Sequence, residues 1–219
     1  PHTPPTRRSS DLCRDFFVCL SENYIHWPDV FHIFMFETIN FTQCTSCNHI
    51  SAQTRITPNA YVEFQCPRAP QKMSELMKQY FNSHEIVQGW RDEDGCMERT
   101  LGKLCFRIQD ITVTDHIVVI LKRVERDPDN NIVINTTNIK IDGTVELLDS
   151  QGRNANFKPI AVIQHSGRSS GKSTSGHYTA EILNVRNNRW YRTSDNSEPQ
   201  LLDEDRLSKK GYIILYKKM

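Results

Sequence analysis

Apolar residues recur at two different spacings along the chain, and these predict both helix and strand. Between Met73 and Phe81 the spacing is helical and predicts an amphipathic helix with its apolar side in a core. The run from Ile117 to Leu121 is continuous and rich in β-branched residues, which predicts a central strand buried on both faces. The apolar face of the predicted helix consists of Met73, Leu76, Met77 and Tyr80.

Most of the chain after Phe41 has short runs of β-branched and aromatic residues that predict strands. No internal repeat period emerges from them. The predicted class is therefore α+β, with the sheet toward the C-terminal part of the chain. Before Phe41, a short helix is predicted after Cys13, and the apolar stretch from Val30 to Phe36 is open between helix and strand. Further predicted strands are Tyr61–Cys66, Pro159–Ile163 and Tyr212–Tyr216.

Two strand-like segments, 178–183 and 189–193, flank an asparagine-rich turn and predict a β-hairpin. Folding the chain back at this turn brings His177 close to Ser194 and Asp195, in a register that the sequence leaves open. An imidazole beside a hydroxyl or carboxylate is a general base with its orienting group. The alternative is a surface histidine at a strand end, which is the better interpretation of an isolated histidine.

The segments next to this histidine also suggest a site. Gly176 leaves backbone space for an extended substrate to approach. The glycine- and serine-rich segment 166–175 predicts a mobile loop, either a simple connector or a lid over a substrate.

Charge and cysteine content narrow the class of protein. The 27 basic and 26 acidic side chains nearly cancel, so no global field draws the chain to a phosphate backbone, and nucleic acid is not expected as a partner. No apolar run approaches the length of a membrane span, so no membrane association is expected. Seven cysteines without a dense disulfide framework favour a reducing compartment, the cytoplasm, the nucleus or both.

The segment SGHYTAEILNVRNNRWYRTSDNSEP, followed by GYIILYKK, resembles the histidine box of ubiquitin-specific cysteine proteases. Upstream, IVVILKRV is similar to the strand that ends in Leu-Lys-Arg-Phe in that family, and Asp15-Phe16-Phe17 is similar to its Glu-Phe-Leu helix. The matching pieces run in the order of the family from Asp15 to Lys218. The resemblance implies a papain-like fold with a palm β-sheet, β-rich fingers and a helical thumb, of which a remnant is expected here.

The resemblance also implies an activity: hydrolysis of the isopeptide bond at the C-terminus of ubiquitin. His177 corresponds to the general base, Ser194 to the third catalytic residue and Asp195 to the acidic residue after it. Serine is a weaker acceptor than a carboxylate, so either Asp195 takes over that role or the site is impaired. Substrate contacts are expected at Gly176, Tyr178 and Trp190. The expected partners are ubiquitin and ubiquitinated proteins, and no cofactor is expected to be required.

The nucleophile and the zinc site depart from the family pattern. No segment before Asp15 resembles the cysteine box, and Cys13 and Cys19 flank a helix that should follow that box, so the chain as given is expected to be inactive. Zinc is doubtful because Arg99 stands where the fourth ligand should be. The degenerate ligand set is Cys44, Cys47 and Cys96, with Cys105 or His49 as possible substitutes.

The predicted organisation has three parts. Residues 1–12 resemble a translated sequencing adaptor and predict a non-native tail. Residues 13–40 are expected to be a thumb remnant, and residues 41–219 the palm with fingers at 41–60 and 85–110.

One alternative function is that of a catalytically inactive pseudo-protease that binds ubiquitin. The other is a zinc-ribbon nucleic-acid binder, which would need a basic face and a second complete Cys-x-x-Cys knuckle that the sequence lacks.

Overall fold

The computed structural model of the protein describes residues 33–51, 54–82, 84–91, 99–170, 173–195, 197–203 and 209–219. Along the chain these contain β1 (Phe36–Cys44), β2 (Arg55–Asn59), β3 (Val62–Gln65), β4 (Gln71–Lys72), α1 (Met73–Asn82), β5 (His84–Arg91), β6 (Arg99–Ile108), β7 (His116–Lys122), β8 (Val124–Arg126), β9 (Ile132–Ile134), β10 (Ile139–Lys140), β11 (Val145–Leu148), β12 (Asn154–Ser170), β13 (Ser173–Asn184), β14 (Arg189–Thr193), β15 (Gln200–Leu202) and β16 (Gly211–Lys218). The adaptor-like tail, the helix predicted after Cys13, and Cys96 lie outside the described residues.

Two larger sheets account for most of these strands. The eight-stranded sheet has the order β15-β14-β13-β12-β16-β7-β3, with β11 paired to β12. Its neighbours are antiparallel except for β3 and β7, which run parallel. The four-stranded antiparallel sheet has the order β2-β1-β6-β5. Two small sheets, β4 with β10 and β8 with β9, complete the pairing. The predicted α+β class with a C-terminal sheet is confirmed.

Helix α1 covers one face of the eight-stranded sheet and closes the main core. Met73, Met77 and Phe81 are each 0% exposed, as the helical spacing of apolar residues predicts. The helix begins at a cap from another segment: Asp142 accepts a hydrogen bond from the backbone N–H of Ser74 at 3.0 Å and contacts its hydroxyl. A carboxylate at a helix N-terminus satisfies N–H groups that have no partner inside the helix.

Strand β7 is buried on both faces, which confirms the prediction from its continuous apolar run. One face contributes to the main core through Ile117, Val119 and Leu121. The opposite face packs in a second cluster with Tyr212 and Ile213 of β16. Since β7 pairs with β16 on one side and with β3 on the other, the strand lies inside the sheet rather than at its edge.

Arg123, directly after β7, is a buried cation that holds loops together at one end of the sheet. Its guanidinium donates to the carbonyls of Gly211 at 2.8 Å, Asn135 at 3.1 Å, Thr137 at 2.8 Å and Lys209 at 3.3 Å. Burial lowers the pKa of Arg123, and the thiol of Cys66 nearby acts in the opposite direction. Because four carbonyl oxygens receive its N–H groups, the guanidinium joins the segments 135–137 and 209–211 to β7.

Two predictions made from the sequence differ from the structure. Residues 166–170 and 173–175, predicted as a mobile loop, extend β12 and β13, and their pairing runs from Ala161 opposite Ile182 to Ser170 opposite Ser173. Backbone pairing with a long neighbouring strand outweighs the weak strand propensity of serine and glycine there. Residues 36–40, assigned to the thumb remnant, begin β1 of the four-stranded sheet instead. That sheet consists of Phe36–Cys44, Arg55–Asn59, His84–Arg91 and Arg99–Ile108, most of which falls in the segments predicted as fingers.

Candidate active site

The hairpin of β13 and β14 positions the candidate histidine. The two strands pair from Asn184 opposite Arg189 to Ala180 opposite Thr193. Side-chain amides close the turn: Asn184 accepts from the N–H of Arg186 at 3.0 Å, and Asn187 from that of Arg189 at 3.1 Å. Asparagine forms such local bonds readily, which is why the asparagine-rich segment turns here.

His177 lies between the side chains of Ser194 and Asp195. Its Nε2 contacts the Ser194 hydroxyl, and its Nδ1 is 3.5 Å from a carboxylate oxygen of Asp195. The imidazole is 48% exposed and the carboxylate 78%. The structure thus brings together the three residues predicted as catalytic, with Ser194 in closer contact than Asp195.

A tight turn after β14 sets the position of Asp195. The carbonyl of Ser194 accepts hydrogen bonds from the backbone N–H of Ser197 at 2.9 Å and from its hydroxyl at 2.5 Å. Asp195 has a φ of 45°, in the left-handed region that aspartate tolerates better than most residues. The chain therefore reverses at Ser194, and the next carboxylate turns back toward the imidazole.

The arrangement orients one ring nitrogen and leaves the other accessible. The close contact to the Ser194 hydroxyl fixes Nε2. At 3.5 Å the carboxylate of Asp195 is beyond normal hydrogen-bond range from Nδ1, so it acts on the ring through charge. An imidazole held in this way can accept a proton and be stabilised as imidazolium.

His165 fills the space beside Gly176. The expectation that this glycine leaves room for a substrate is therefore not met. A Cβ at Gly176 would be 2.0 Å from Nε2 of His165. The ring of His165 also lies against Tyr178, with centroids 4.6 Å apart. Its Nε2 is buried and has no hydrogen-bond partner among the described residues, and burial lowers the pKa of His165. Gly176 is therefore required by packing.

Of the other residues predicted to contact substrate, one is accessible and one is not. Tyr178 is partly buried against the second cluster, at the side of the site. Trp190 is 2% exposed inside the main core, so its assignment to substrate binding is wrong. The alternation of β14 explains this difference, because Trp190 lies opposite Leu183 on the core face of the sheet.

The described residues supply only part of the predicted zinc ligand set. Cys44 is buried at the end of β1, and its sulfur accepts the N–H of Ser46 at 3.4 Å, whereas Cys47 is exposed. Cys105 lies opposite Phe41, so it projects from the other face of the sheet than Cys44 and cannot replace a ligand beside it. No cluster of three or more candidate metal ligands occurs among the described residues. These residues do not fit a tetrahedral zinc site on their own.

Sequence reasoning missed two polar groups near the site. His165 follows the predicted strand 159–163 and lies opposite Tyr178, on the other face of the sheet from His177. Glu181 is 0% exposed and forms an ion pair with Arg192. Glu181 lies four residues after His177, and Arg192 lies two residues before Ser194. A charged residue at a core-facing position of an alternating strand is the signal that could have identified Glu181.

The fold is the papain-like fold of ubiquitin-specific proteases. The chain belongs to the ubiquitin carboxyl-terminal hydrolase family, whose model matches residues 22–216. Over 70 residues, which are 28% of this chain and 7% of the relative, it is 37% identical to ubiquitin carboxyl-terminal hydrolase 3 of Saccharomyces cerevisiae.

Solved structures show the same fold at low sequence identity. The chain is similar to a structure of the SAGA Ubp8/Sgf11/Sus1/Sgf73 DUB module bound to ubiquitin aldehyde, with a TM-score of 0.68 and 15% identity, over 94% of this chain and 46% of that one. For the SAGA DUB module bound to monoubiquitin the TM-score is 0.70 at 15% identity, over 95% and 48%. The chain thus spans about half the length of these structures. Among the described residues, no helix is long and apolar enough to span a membrane.

Proposed function

We propose that the chain forms the palm and fingers of a deubiquitinating cysteine protease, with His177 as the general base. The observation that supports this most directly is the position of the imidazole between Ser194 and Asp195 at the end of a rigid hairpin. The proposed partners are ubiquitin and ubiquitinated proteins, in the cytoplasm, the nucleus or both. Two of the similar structures contain ubiquitin or its aldehyde, which is consistent with this proposal.

The proposed reaction begins with proton transfer from a cysteine thiol to Nδ1 of His177. Ser194 holds the other nitrogen, and the exposed carboxylate of Asp195 moves aside for the thiol and stabilises the imidazolium. The thiolate attacks the carbonyl carbon of the C-terminal glycine of ubiquitin. The imidazolium then protonates the leaving lysine amine, and water releases ubiquitin from the thioester. Thiol and imidazole suffice for this chemistry, so we propose no catalytic cofactor and a structural role alone for any zinc.

The nucleophile is not assigned to a described cysteine. Cys44, Cys47 and Cys105 belong to the four-stranded sheet and its turn. Cys66 follows β3 and is 1% exposed, and burial raises the pKa of its thiol, which disfavours the reactive thiolate. We therefore propose that the 219-residue polypeptide binds ubiquitin but does not cleave its conjugates.

The second candidate function is ubiquitin binding by a pseudo-protease. Ser194 favours it, because a hydroxyl stabilises an imidazolium less than a carboxylate at the same nitrogen would. Both candidates predict that the ubiquitin tail reaches His177, and they differ in whether a longer chain with the cysteine box hydrolyses conjugates. Loss of hydrolysis in that longer chain on His177→Ala supports the protease, and absence of hydrolysis in its wild type supports the pseudo-protease.

Titration of the isotopically labelled chain with ubiquitin tests tail binding by NMR. Resonances of Gly176, His177 and Tyr178 are expected to shift with intact ubiquitin and to stay unchanged with ubiquitin lacking its last two residues. Equal shifts with both forms, or no binding, would overturn the proposal. An electrophilic ubiquitin probe is expected to leave every cysteine unlabelled, and labelling at Cys13 or Cys19 would overturn the proposed inactivity.

A further inference from the structure

Glu181 is a carboxylate buried in the middle of the hairpin that holds His177. It lies on β13 directly opposite Arg192 of β14 and is 0% exposed. Both the Nε and one terminal nitrogen of Arg192 donate to the same carboxylate oxygen, at 3.1 and 2.6 Å. The amide of Gln164 on β12 donates to that oxygen at 3.5 Å. Three adjacent strands are therefore joined by side chains at one level of the sheet.

The pair lies on the same face of the hairpin as apolar residues of the main core. Leu183, two residues further along β13, is buried in the main core on the same face as Glu181, together with Trp190. Glu181 is fully buried and the Arg192 side chain is 37% exposed. Replacing a buried ion pair by apolar residues of similar volume is often neutral or stabilising. Stability alone therefore does not explain a carboxylate here. A directional contact does, because two N–H donors of one planar guanidinium fix both the distance and the angle between the strands.

The same face carries the candidate catalytic groups. His177 precedes Glu181 by four residues and Ser194 follows Arg192 by two, and even separations along a strand keep side chains on one face. The last backbone pair of the hairpin joins Ala180 and Thr193, so Ser194 lies just beyond the ladder. The side-chain link between Glu181 and Arg192 is one residue from that end, and it determines how far the end of β14 can move relative to β13.

We propose that Glu181 and Arg192 are positioning residues that hold Ser194 against the imidazole of His177. This inference rests on the proposed function, in which Ser194 orients the general base. The pair touches neither the reacting atoms nor the substrate. It acts by fixing the two strands that carry the base and its partner, and Gln164 extends the clamp to β12.

The test measures the tautomer of the neutral His177 ring by long-range ¹H–¹⁵N NMR, because the hydrogen bond at one ring nitrogen determines which nitrogen carries the proton. A single tautomer is expected in the wild type. Glu181→Gln and Arg192→Met are expected to lose this single-tautomer signature and show both forms. A purely structural pair would lower the free energy of unfolding without changing the tautomer in the folded protein.

Two further variants keep the test decisive. Glu181→Met combined with Arg192→Met replaces the pair by apolar side chains and is expected to fold stably while still showing both tautomers. Glu63→Gln removes another cross-strand ion pair of the same sheet, with Lys122 at 2.9 Å, and is expected to leave the tautomer unchanged. A single tautomer in every folded pair variant would overturn the positioning role. If the wild type does not bind ubiquitin, the proposed function is refuted. The tautomer measurement needs no ubiquitin, so it tests the positioning role separately.

Discussion

His165 and Gly176 lie against each other across β12 and β13, and the imidazole fills the volume that a side chain at position 176 would occupy. The glycine next to the candidate base is therefore explained by a neighbour inside the protein. Tyr178 packs against the same ring, so the backbone immediately before and after His177 rests on His165.

Gly176→Ala is expected to destabilise the protein by about 1–3 kcal/mol, because the new methyl group overlaps the His165 ring. Urea unfolding would measure this effect. Gly143→Ala is the matched control, since no described residue other than its own chain neighbours lies within 4 Å of the added carbon there. Adding His165→Ala to Gly176→Ala should restore most of the lost stability. A Gly176→Ala variant as stable as the wild type would contradict the packing described here.

The stability of the protein is expected to fall as the pH drops through 6.5, the ordinary pKa of histidine. Burial lowers the pKa of His165 in the folded state, so between the two pKa values the unfolded chain binds more protons. The loss ends below the folded pKa, where both states are protonated. His116 is shifted in the same direction, mainly by burial.

Urea unfolding between about pH 8 and about pH 5 measures this dependence. His165→Phe and His116→Phe should each make the decrease smaller, because each removes one buried group that titrates. An unchanged pH dependence in both variants would show that other groups determine it.

Trp190→Ala is expected to cost about 3–5 kcal/mol of stability, as for other large buried aromatic residues. Trp190→Phe should cost less, since it keeps an aromatic ring and removes an indole N–H to which no described residue offers a hydrogen bond. The affinity of folded Trp190→Phe for ubiquitin, measured by calorimetry, should equal that of the wild type because the side chain is 2% exposed. Tyr178→Ala, at the side of the site, should weaken binding. Weaker binding of ubiquitin by Trp190→Phe would instead support a substrate contact at Trp190.

Arg123→Met is expected to destabilise the protein by about 3 kcal/mol or more, because four carbonyl oxygens lose a charged donor. Hydrogen exchange should accelerate in segments 135–137 and 209–211 before it does in β7. Arg126→Met is the control, since its bonds to Asn130 are exposed and should contribute little. Similar effects of the two substitutions would argue against a special role for the buried guanidinium.

The sequence predicted the elements of the fold better than their mutual arrangement. The helical spacing at Met73–Phe81 and the apolar run at Ile117–Leu121 are local patterns, and both elements form where predicted. The hairpin also follows from local signals, because asparagine side chains close its turn. The loop predicted at 166–175 is wrong for residues 166–170 and 173–175, because their pairing with each other, and not their composition, determines their conformation.

Register accounts for most of what could not be predicted at the site. The sequence placed His177 near Ser194 and Asp195 but could not tell which ring nitrogen each would face. The burial of Trp190 and the packing of His165 under Gly176 both depend on which residues lie opposite each other, and a shift by one residue would reverse every side chain. Glu181 shows the same limit, since its partner is determined only by the pairing of β13 with β14.

The position of β16 affects how the protein can be made. This strand follows all other described strands along the chain, yet it lies between β12 and β7 in the middle of the eight-stranded sheet. While a ribosome synthesises the chain, the unpaired edges of β12 and β7 remain exposed until β16 emerges, and such edges promote association between molecules. A chaperone that covers both edges until β16 is made should therefore raise the yield of folded protein.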